Sequence, residues 1–167
     1  MQQYHDDEWG VPTHDDIHLF EILSLEIAQA GLSWNTILKM RPCYREAFDN
    51  FDFRSIADYD SVKVEFLLAN KGIVRNKLKI LSIIHNAKQA LHIQNKLCSL
   101  DSFFWQFSPD KKRDDSLEDD FFFPKKMSLE LRRLGWKFIG PTICNSFMQA
   151  AGMVNHHSKG CFLAQGN

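Results

Sequence analysis

Apolar residues recur at helical spacing along most of the chain, and no stretch of any length alternates as a β-strand would. The first periodic segment runs from about Asp15 to Ala30, after a capping signal at Thr13 and Asp15. A long apolar face follows Gly72, and helical spacing returns in residues 141–154. The pattern predicts an all-α protein.

Shorter helical segments connect these three. A segment that begins near Trp34 is expected to end at Arg41, because a residue that precedes a proline, here Pro42, disfavours helix. Residues 109–126 combine a proline, runs of both charges and three phenylalanines, which indicates a flexible surface loop anchored by a buried Phe. Further short helices are predicted at Tyr44 to Phe48, at Val62 to Leu68 with Ser61 as cap, at 103–107 and at 127–136.

A carboxylate lies inside the first predicted helix. Glu26 follows Ile22 by four positions, so its side chain faces the apolar side, where an unpaired charge is costly. Gly31 ends the helix, leaves Leu32 at the tip of a turn and puts Trp34 at the start of the next helix. These residues alone fit a simple helical corner with Glu26 paired to a distant Arg or Lys, and they also fit a functional carboxylate.

The segment around Gly72 joins two predicted helices by a short turn. Arg75, Lys77 and Lys79 open the second helix, where basic residues oppose the helix dipole and an anionic ligand would relieve the conflict. Backbone amides and these cations together would suit a phosphate. An ordinary pair of helices with a solvated basic end explains the same pattern equally well.

Composition narrows the class of protein. The chain has 167 residues, 44% of them hydrophobic and 25% charged, which fits one globular domain. Its formal net charge is −1, so any nucleic-acid contact must come from a local basic patch. The four cysteines form no CxxC pair, and no apolar run is long enough to span a bilayer. We therefore expect a cytoplasmic protein.

Four ordered motifs carry a family resemblance. The segments YHDDEWGVP, LEIAQAGLSW, KGIVRNKLKI and GWKFIGPTICNSFMQAAGMVNHH, with the final His157–Cys161 pair, resemble the bacterial DNA-3-methyladenine glycosylase I family. The similarity runs from Tyr4 to Cys161 and weakens only across 94–126. It implies a single glycosylase domain over 1–167, a helix-hairpin-helix fold with its hairpin at about 62–80, and two closely packed helical lobes with a base pocket between them.

The resemblance also implies an activity and a set of site residues. Members of the family excise 3-methyladenine from alkylated double-stranded DNA and release the free base, without a lyase step; we expect this chain to do so as a monomer. By position, Glu26 matches the catalytic acidic residue at the floor of the pocket, and Tyr4, Trp9 and Trp34 match aromatic residues that line it. The matching DNA-contact residues are Gly31 and Leu32 in the turn that fills the duplex, and Gly72, Val74, Arg75 and Lys77 in the hairpin.

This chemistry agrees with the residue types. A 3-methylated adenine is cationic, so its glycosidic bond is already weak and needs little acid catalysis. The enzyme must extrude the base and prefer the damaged one. Aromatic faces and a carboxylate both favour a cation, and Leu32 can wedge into the stack. No lysine is placed as a Schiff-base nucleophile, which fits an enzyme without a lyase step. The segment TICNSFMQAAG lacks a carboxylate, which fits a substrate whose base leaves easily.

The resemblance further implies a structural zinc ion, although catalysis needs no cofactor. His5, His157 and Cys161 are ligand types that zinc accepts. In the family the fourth ligand is a cysteine upstream of the Tyr-His pair, and the residues before Tyr4 here include none. Water or His156 could take its place, or the metal could be absent, and Cys161 could instead be a small buried apolar residue.

Two other functions remain open at this point. An N-terminally shortened relative of the family would bind DNA through its hairpin and excise little of the damaged base. A helical protein-interaction domain unrelated to DNA would require the ordered motifs to be coincidental.

Overall fold

All the regular secondary structure is helical over the residues that a computed structural model describes, which are 2–97, 99–109, 121–154 and 161. The all-α prediction is therefore confirmed. In chain order the helices are α1 (Gln2–Asp7), α2 (Asp16–Gln29), α3 (Trp34–Ala47), α4 (Phe53–Ala57), α5 (Ser61–Ala69), α6 (Lys77–Leu97), α7 (Leu100–Trp105), α8 (Phe122–Arg133) and α9 (Pro141–Ala150), with a 3₁₀ turn at Asp49–Phe51 between α3 and α4.

Helix α2 is the central element. Its residues from Leu19 to Ala28 are all buried, and it packs against α3, α6, α7 and α9. Both predicted ends are confirmed. The Asp15 carboxylate accepts a hydrogen bond from the backbone N–H of His18 at 2.7 Å, and Gly31 follows the helix with φ of +82°.

Helix α3 corrects a predicted boundary. Pro42 lies inside it, so the two short helices expected here form one. Proline removes a single backbone hydrogen bond, and its ring is exposed, while Arg41 and Tyr44 on either side of it are buried. Packing of these neighbours holds the helix through the proline, which a local propensity argument does not capture.

Helices α5 and α6 with the turn 70–76 form the predicted hairpin. Asp60, not Ser61, caps α5 by accepting a hydrogen bond from the N–H of Lys63 at 2.8 Å. Gly72 is needed for space: a Cβ at this position would lie 2.8 Å from the Cβ of Cys43 on α3. The hydroxyl of Tyr44, also on α3, accepts a hydrogen bond from the N–H of Val74 at 3.1 Å. The turn is thus fixed onto α3.

One helix was not predicted, and one predicted loop is too long. Helix α1 had no clear signal in the sequence, and its residues are at most half-buried. The loop expected at 109–126 ends earlier, because α8 begins at Phe122; residues 110–120 lie outside the described part of the chain. The high phenylalanine content serves packing, since Phe20, Phe48, Phe51, Phe53, Phe104 and Phe147 are fully buried. Among the described helices, none is long and apolar enough to cross a membrane.

Candidate active site

One pocket of about 310 Å³ opens between α1, the C-terminal half of α2, the start of α3 and α9. Its size lies at the lower end of the range for small-molecule sites, which is about 300–1,000 Å³. Aromatic rings, one carboxylate and three neutral polar side chains converge on it. The lining residues are Tyr4, His5, Trp9, Glu26, Gln29, Trp34, Ser146 and Gln149.

Glu26 is the one carboxylate among the lining residues. It is 5% exposed, and over the described residues its side chain has no hydrogen-bond or ion-pair partner. Burial raises the pKa of Glu26 to about 7, because the charged form loses hydration without compensation. The distant Arg or Lys partner that the sequence left open is therefore absent from this part of the chain.

The three predicted aromatic residues meet at this pocket. The rings of Tyr4 and Trp34 have centroids 5.5 Å apart and are tilted by 52°, and Trp9 stacks on His5 at 5.8 Å. Burial, and then the negative charge of Glu26, raise the pKa of Tyr4 above its usual value. The Tyr4 hydroxyl therefore stays neutral and can donate a hydrogen bond. Because these rings come from α1, from the segment after it and from α3, the pocket depends on how α1 is held.

A partly buried ion network holds α1 in place. The Arg41 guanidinium on α3 donates from Nε to Glu21 at 2.8 Å and from Nη1 to Glu8 at 2.8 Å, and Glu8 directly follows α1. His18 Nε2 lies 3.1 Å from Glu8, and Arg45 donates to both oxygens of Glu21. Burial alone would raise the pKa of Glu8, but hydrogen bonds from His18 and Arg41 lower it to about 2.

Two buried carboxylates on α2 thus have opposite environments. Glu21 and Glu26 are each 5% exposed. Burial tends to raise the pKa of Glu21, but the two arginines outweigh it and lower that pKa, whereas nothing compensates Glu26. Glu21 stabilises the structure, and Glu26 is left available for a ligand. Strongly perturbed carboxylates in a cleft are candidates for functional residues.

The predicted DNA-contact residues lie on two exposed turns. Gly31 is exposed, and the Leu32 side chain is 41% exposed at the corner between α2 and α3. Arg75 and Lys77 are exposed at the hairpin, where Val74 and Gly72 are half-buried. Lys79 was expected to share the phosphate-facing charge, and that expectation is wrong. It is 8% exposed, because its ammonium is turned inward onto carbonyl oxygens of α2.

Two of the three predicted metal ligands lie together. His5 Nε2 is 3.7 Å from the Sγ of Cys161, although 156 residues separate them, and the Asp6 carboxylate is 2.9 Å from the other ring nitrogen of His5. His157 is outside the described residues. Over the part of the chain that is described, no group of three or more potential ligands forms a metal site.

Sequence reasoning missed several residues of this region. Gln29, Ser146 and Gln149 line the pocket, but polar residues on helices carry no local signal of their function. The pairing of Glu8 with Arg41 joins positions 33 apart and is also invisible locally. The apolar residues Ile17 and Leu25, each four positions from Glu21, could have indicated a second buried carboxylate.

Comparisons with known proteins agree with this geometry. A family model described as methyladenine glycosylase matches residues 1–164. The chain is 41% identical over 170 residues to DNA-3-methyladenine glycosylase 1 of Escherichia coli (strain K12), covering 98% of this chain and 91% of that protein. A crystal structure of 3-methyladenine DNA glycosylase I superposes with a TM-score of 0.88 at 44% identity, covering 96% and 92% of the two chains. A Staphylococcus aureus structure described as the structural basis of 3-methyladenine recognition gives a TM-score of 0.87 at 34% identity, covering 96% and 88%.

Proposed function

The chain belongs to the methyladenine glycosylase family and excises 3-methyladenine from DNA in DNA repair, and we propose that it does so in the pocket above Glu26. One observation carries this assignment: an unpaired buried carboxylate faces a pocket that is also lined by aromatic rings. Methylation at N3 makes adenine cationic. Ionised Glu26 attracts that charge and accepts hydrogen bonds from the purine edge, and aromatic faces favour a cation over a neutral base.

The bond to be broken needs little help once the base is extruded. The electron pair of the bond between the base nitrogen and the sugar carbon C1′ leaves with the base, which departs as neutral 3-methyladenine. Water adds to C1′ and releases a proton. Because the leaving group becomes neutral, strong acid catalysis is unnecessary, and the main tasks are extrusion, orientation and selection. Tyr4, kept protonated, is suited to donate a hydrogen bond to the bound base or to the carboxylate.

We further propose that the enzyme is monofunctional. A lyase step needs an amine that attacks the sugar carbon, and no lysine lines the pocket within the described residues. The Lys79 amine, which is buried nearby in the hairpin helix, is already hydrogen-bonded to two carbonyls. The product is then an abasic site with its DNA strand intact.

The duplex is held on two exposed turns in this proposal. Arg75 and Lys77 pair with phosphates at the hairpin, next to the amides of Gly72 and Val74. Leu32 enters the base stack at the gap left by the extruded nucleotide, as apolar wedges do in proteins that distort DNA. Gly31, with φ of +82°, allows the sharp turn that exposes Leu32.

A zinc ion would join the two ends of the chain. Ligands at typical zinc distances around a tetrahedral ion are about 3.6 Å apart for one sulfur and one nitrogen, and the 3.7 Å between Cys161 and His5 fits that spacing. Asp6 on the opposite ring nitrogen is the kind of partner that orients a metal-bound histidine. With His157 as a third ligand, the ion would tie α1 to the C-terminal segment. Its part is structural, and no step of the reaction passes through it.

We also propose that one monomer acts on one damaged site in the bacterial cytoplasm, associated with the nucleoid through DNA. Size-exclusion chromatography with light scattering, with and without a short duplex, checks this stoichiometry. A dimer in the DNA complex would contradict it.

A base-release assay tests the proposed function. Methylated duplex DNA is incubated with the protein, and the released bases are separated chromatographically. We expect 3-methyladenine and no 7-methylguanine, and a strong loss of release in Glu26→Gln, which keeps the shape of the side chain and removes its charge. Undiminished release by Glu26→Gln would remove Glu26 from the mechanism. Duplex binding without release would favour a DNA-binding relative over an enzyme.

A further inference from the structure

The ammonium of Lys79 occupies an unusual place for a charge at the start of a hairpin helix. Lys79 lies in the first turn of α6, where Asn76 caps the helix by accepting a hydrogen bond from the Lys79 N–H at 3.2 Å. Its side chain crosses to the C-terminus of α2. There its Nζ donates to the carbonyl oxygen of Ala28 at 2.8 Å and to that of Ala30 at 2.6 Å.

This contact completes the end of α2. The last carbonyls of a helix lack partners within the helix. Here the Ile27 oxygen accepts from the N–H of Ala30, and the Gln29 oxygen accepts from the N–H of Leu32 at 2.6 Å. The carbonyl oxygens of Ala28 and Ala30 accept their hydrogen bonds from the Lys79 ammonium instead. A cation at this end also complements the helix dipole.

Lys79 therefore joins two parts of the protein that are far apart in sequence. One is the hairpin turn 70–76, which leads directly into α6. The other is the Gly31–Leu32 turn, whose position follows from where α2 ends. The carbonyls that bind the ammonium lie one and three residues before Gly31.

We propose that Lys79 is a positioning residue that fixes the Leu32 wedge relative to the phosphate-binding hairpin. When phosphates hold the hairpin, the distance from the ammonium to the α2 carbonyls sets where Leu32 meets the base stack. Without that link, the duplex still binds and the pocket still accepts a base, but extrusion into the pocket becomes inefficient. This inference rests on the proposed wedge role of Leu32.

Other uses of Lys79 fit the geometry less well. A phosphate contact needs an exposed ammonium, and Lys79 is 8% exposed with two carbonyl partners. A nucleophile needs access to the sugar, and Lys79 is absent from the residues that line the pocket. The same contact does stabilise the fold, so the test must separate positioning from stability.

The experiment compares Lys79→Met, Leu32→Ala and the double variant with wild type. Lys79→Arg is the conservative variant, because it keeps a positive charge and N–H donors. Lys88→Met is the matched control, an exposed lysine on the same helix. Each protein is assayed for the single-turnover rate of 3-methyladenine release from methylated duplex, the affinity for free 3-methyladenine and the salt dependence of duplex binding. Thermal melting establishes that each variant is folded at the assay temperature.

We expect Lys79→Met to slow release by roughly tenfold to a hundredfold, the scale seen when a reacting group is misplaced by about 1 Å. Free-base affinity and the salt slope should stay as in wild type, Lys79→Arg should recover most of the rate, and Lys88→Met should change nothing. The double variant should be no slower than Leu32→Ala by more than about twofold, because the two residues act through one element.

Different failures have different meanings. An unchanged release rate in Lys79→Met overturns the proposal, and so does a loss of free-base affinity as large as the loss of rate. A reduced salt slope would make Lys79 a phosphate contact and would also overturn it. If Leu32→Ala alone releases base at the wild-type rate, the wedge role in the proposed function fails, and the positioning role falls with it. If Leu32→Ala is slow and Lys79→Met is not, only the positioning role fails.

Discussion

Glu21 and Glu26 show how the environment of a residue, more than its type, decides its role. Both are buried carboxylates on α2. Glu21 is neutralised by Arg41 and Arg45, while Glu26 faces a pocket with no cation of the described chain to balance it. Burying an unpaired charge is costly, and a residue with a purely structural role would not retain that cost. We therefore expect the ligand that balances the Glu26 charge to be cationic.

Replacement of Glu26 by Gln should change how stability depends on pH. The pKa of this carboxyl rises from its ordinary 4.5 to about 7 on folding, so the folded state binds the proton more tightly. The associated stability is complete below pH 4.5 and is lost as pH rises through 7. We expect Glu26→Gln to gain stability relative to wild type over that interval, by up to about 3 kcal/mol, and to keep this advantage above pH 7.

Urea unfolding of both proteins between pH 4 and 8 measures this difference. Glu21→Gln is the matched control with the opposite sign, because the pKa of Glu21 is lowered on folding and its contribution is present at higher pH. A constant difference between Glu26→Gln and wild type across the range would mean that the Glu26 carboxyl is not buried without a partner.

Arg41 should be worth more to stability than Arg45. Arg41 has a side chain 10% exposed and bridges Glu8 with Glu21, whereas the Arg45 side chain is 47% exposed. Arg41→Met leaves Glu8 without its arginine and should cost about 3 kcal/mol in the free energy of unfolding. Arg45→Met should cost about 1 kcal/mol, since water screens that pair. Denaturant unfolding at pH 7 tests the order, and equal losses would contradict it.

How far the sequence could predict the site differs from residue to residue. Glu26 was identifiable because a carboxylate at helical spacing among apolar residues is conspicuous, and Gly31 and Leu32 because a glycine after such a helix predicts a turn. The role of Arg41 could not be identified, because an arginine before a proline is typical of the exposed end of a helix. Its burial follows from contacts with Glu8 and Glu21, and no local pattern contains them.

At the scale of elements, the hairpin turn depends on close packing against α3. Alanine at Gly72 would place its Cβ 2.8 Å from the Cβ and 2.9 Å from the Sγ of Cys43. Backbone φ is not the constraint, because Gly72 is not among the residues with positive φ. We expect Gly72→Ala to lower the free energy of unfolding by about 1–3 kcal/mol, the usual cost of overpacking.

Gly140→Ala is the matched control, because a Cβ there would meet nothing closer than 3.7 Å. Thermal or urea unfolding should therefore show a clearly lower stability for Gly72→Ala than for Gly140→Ala. A Gly72→Ala protein as stable as Gly140→Ala would mean that the turn can move away from α3 at little cost.

The basic hairpin should account for part of the salt dependence of DNA binding. Arg75 and Lys77 are exposed at its turn and N-terminus. Each phosphate contact contributes about 0.9 to the slope of log affinity against log salt, so Arg75→Ala with Lys77→Ala should reduce the slope by about 2. Fluorescence anisotropy with a labelled duplex at several salt concentrations measures it. Lys88→Ala, on the same helix, should leave the slope unchanged, and an unchanged slope in the double variant would place the duplex elsewhere.

Elements were predicted better than their boundaries. Helices α2, α6 and α9 have apolar stripes that dictate their existence, and the hairpin follows from the glycine between two predicted helices. Helix α3 was predicted as two helices because Pro42 disfavours helix locally. The packing of Arg41 and Tyr44 that holds it together is not visible in the local sequence. Helix α1 lacks a buried face of its own, so only its contacts with distant residues hold it in place.

At the scale of the whole molecule, the segment that follows α1 meets the end of α9 beside the pocket. Besides the Glu8–Arg41 pair, the N–H groups of Gly10 and Thr13 donate to the carbonyls of Ala150 and Ala151 at 3.4 and 3.2 Å. Gly152, with φ of +73°, lies so close to this segment that a Cβ would overlap the backbone of Pro12. These contacts join the N-terminal segment to the end of α9 beside the pocket that α2 and α3 also line, and sequence periodicity does not report such contacts.

The proposed zinc ion would add a further link between α1 and the C-terminal segment. Its removal should therefore affect the position of α1 more than the stability of the whole protein. We expect the purified protein to contain about one zinc per chain, measured by inductively coupled plasma mass spectrometry, and Cys161→Ser and His5→Gln to lose most of it. Cys43→Ser is the thiol control, because the Cys43 side chain lies against Gly72 in the hairpin turn. Since α1 carries Tyr4, loss of the ion should weaken binding of free 3-methyladenine while the melting of the α2 core changes less. Full zinc content in Cys161→Ser would exclude Cys161 as a ligand and leave it as a half-buried thiol packed beside His5.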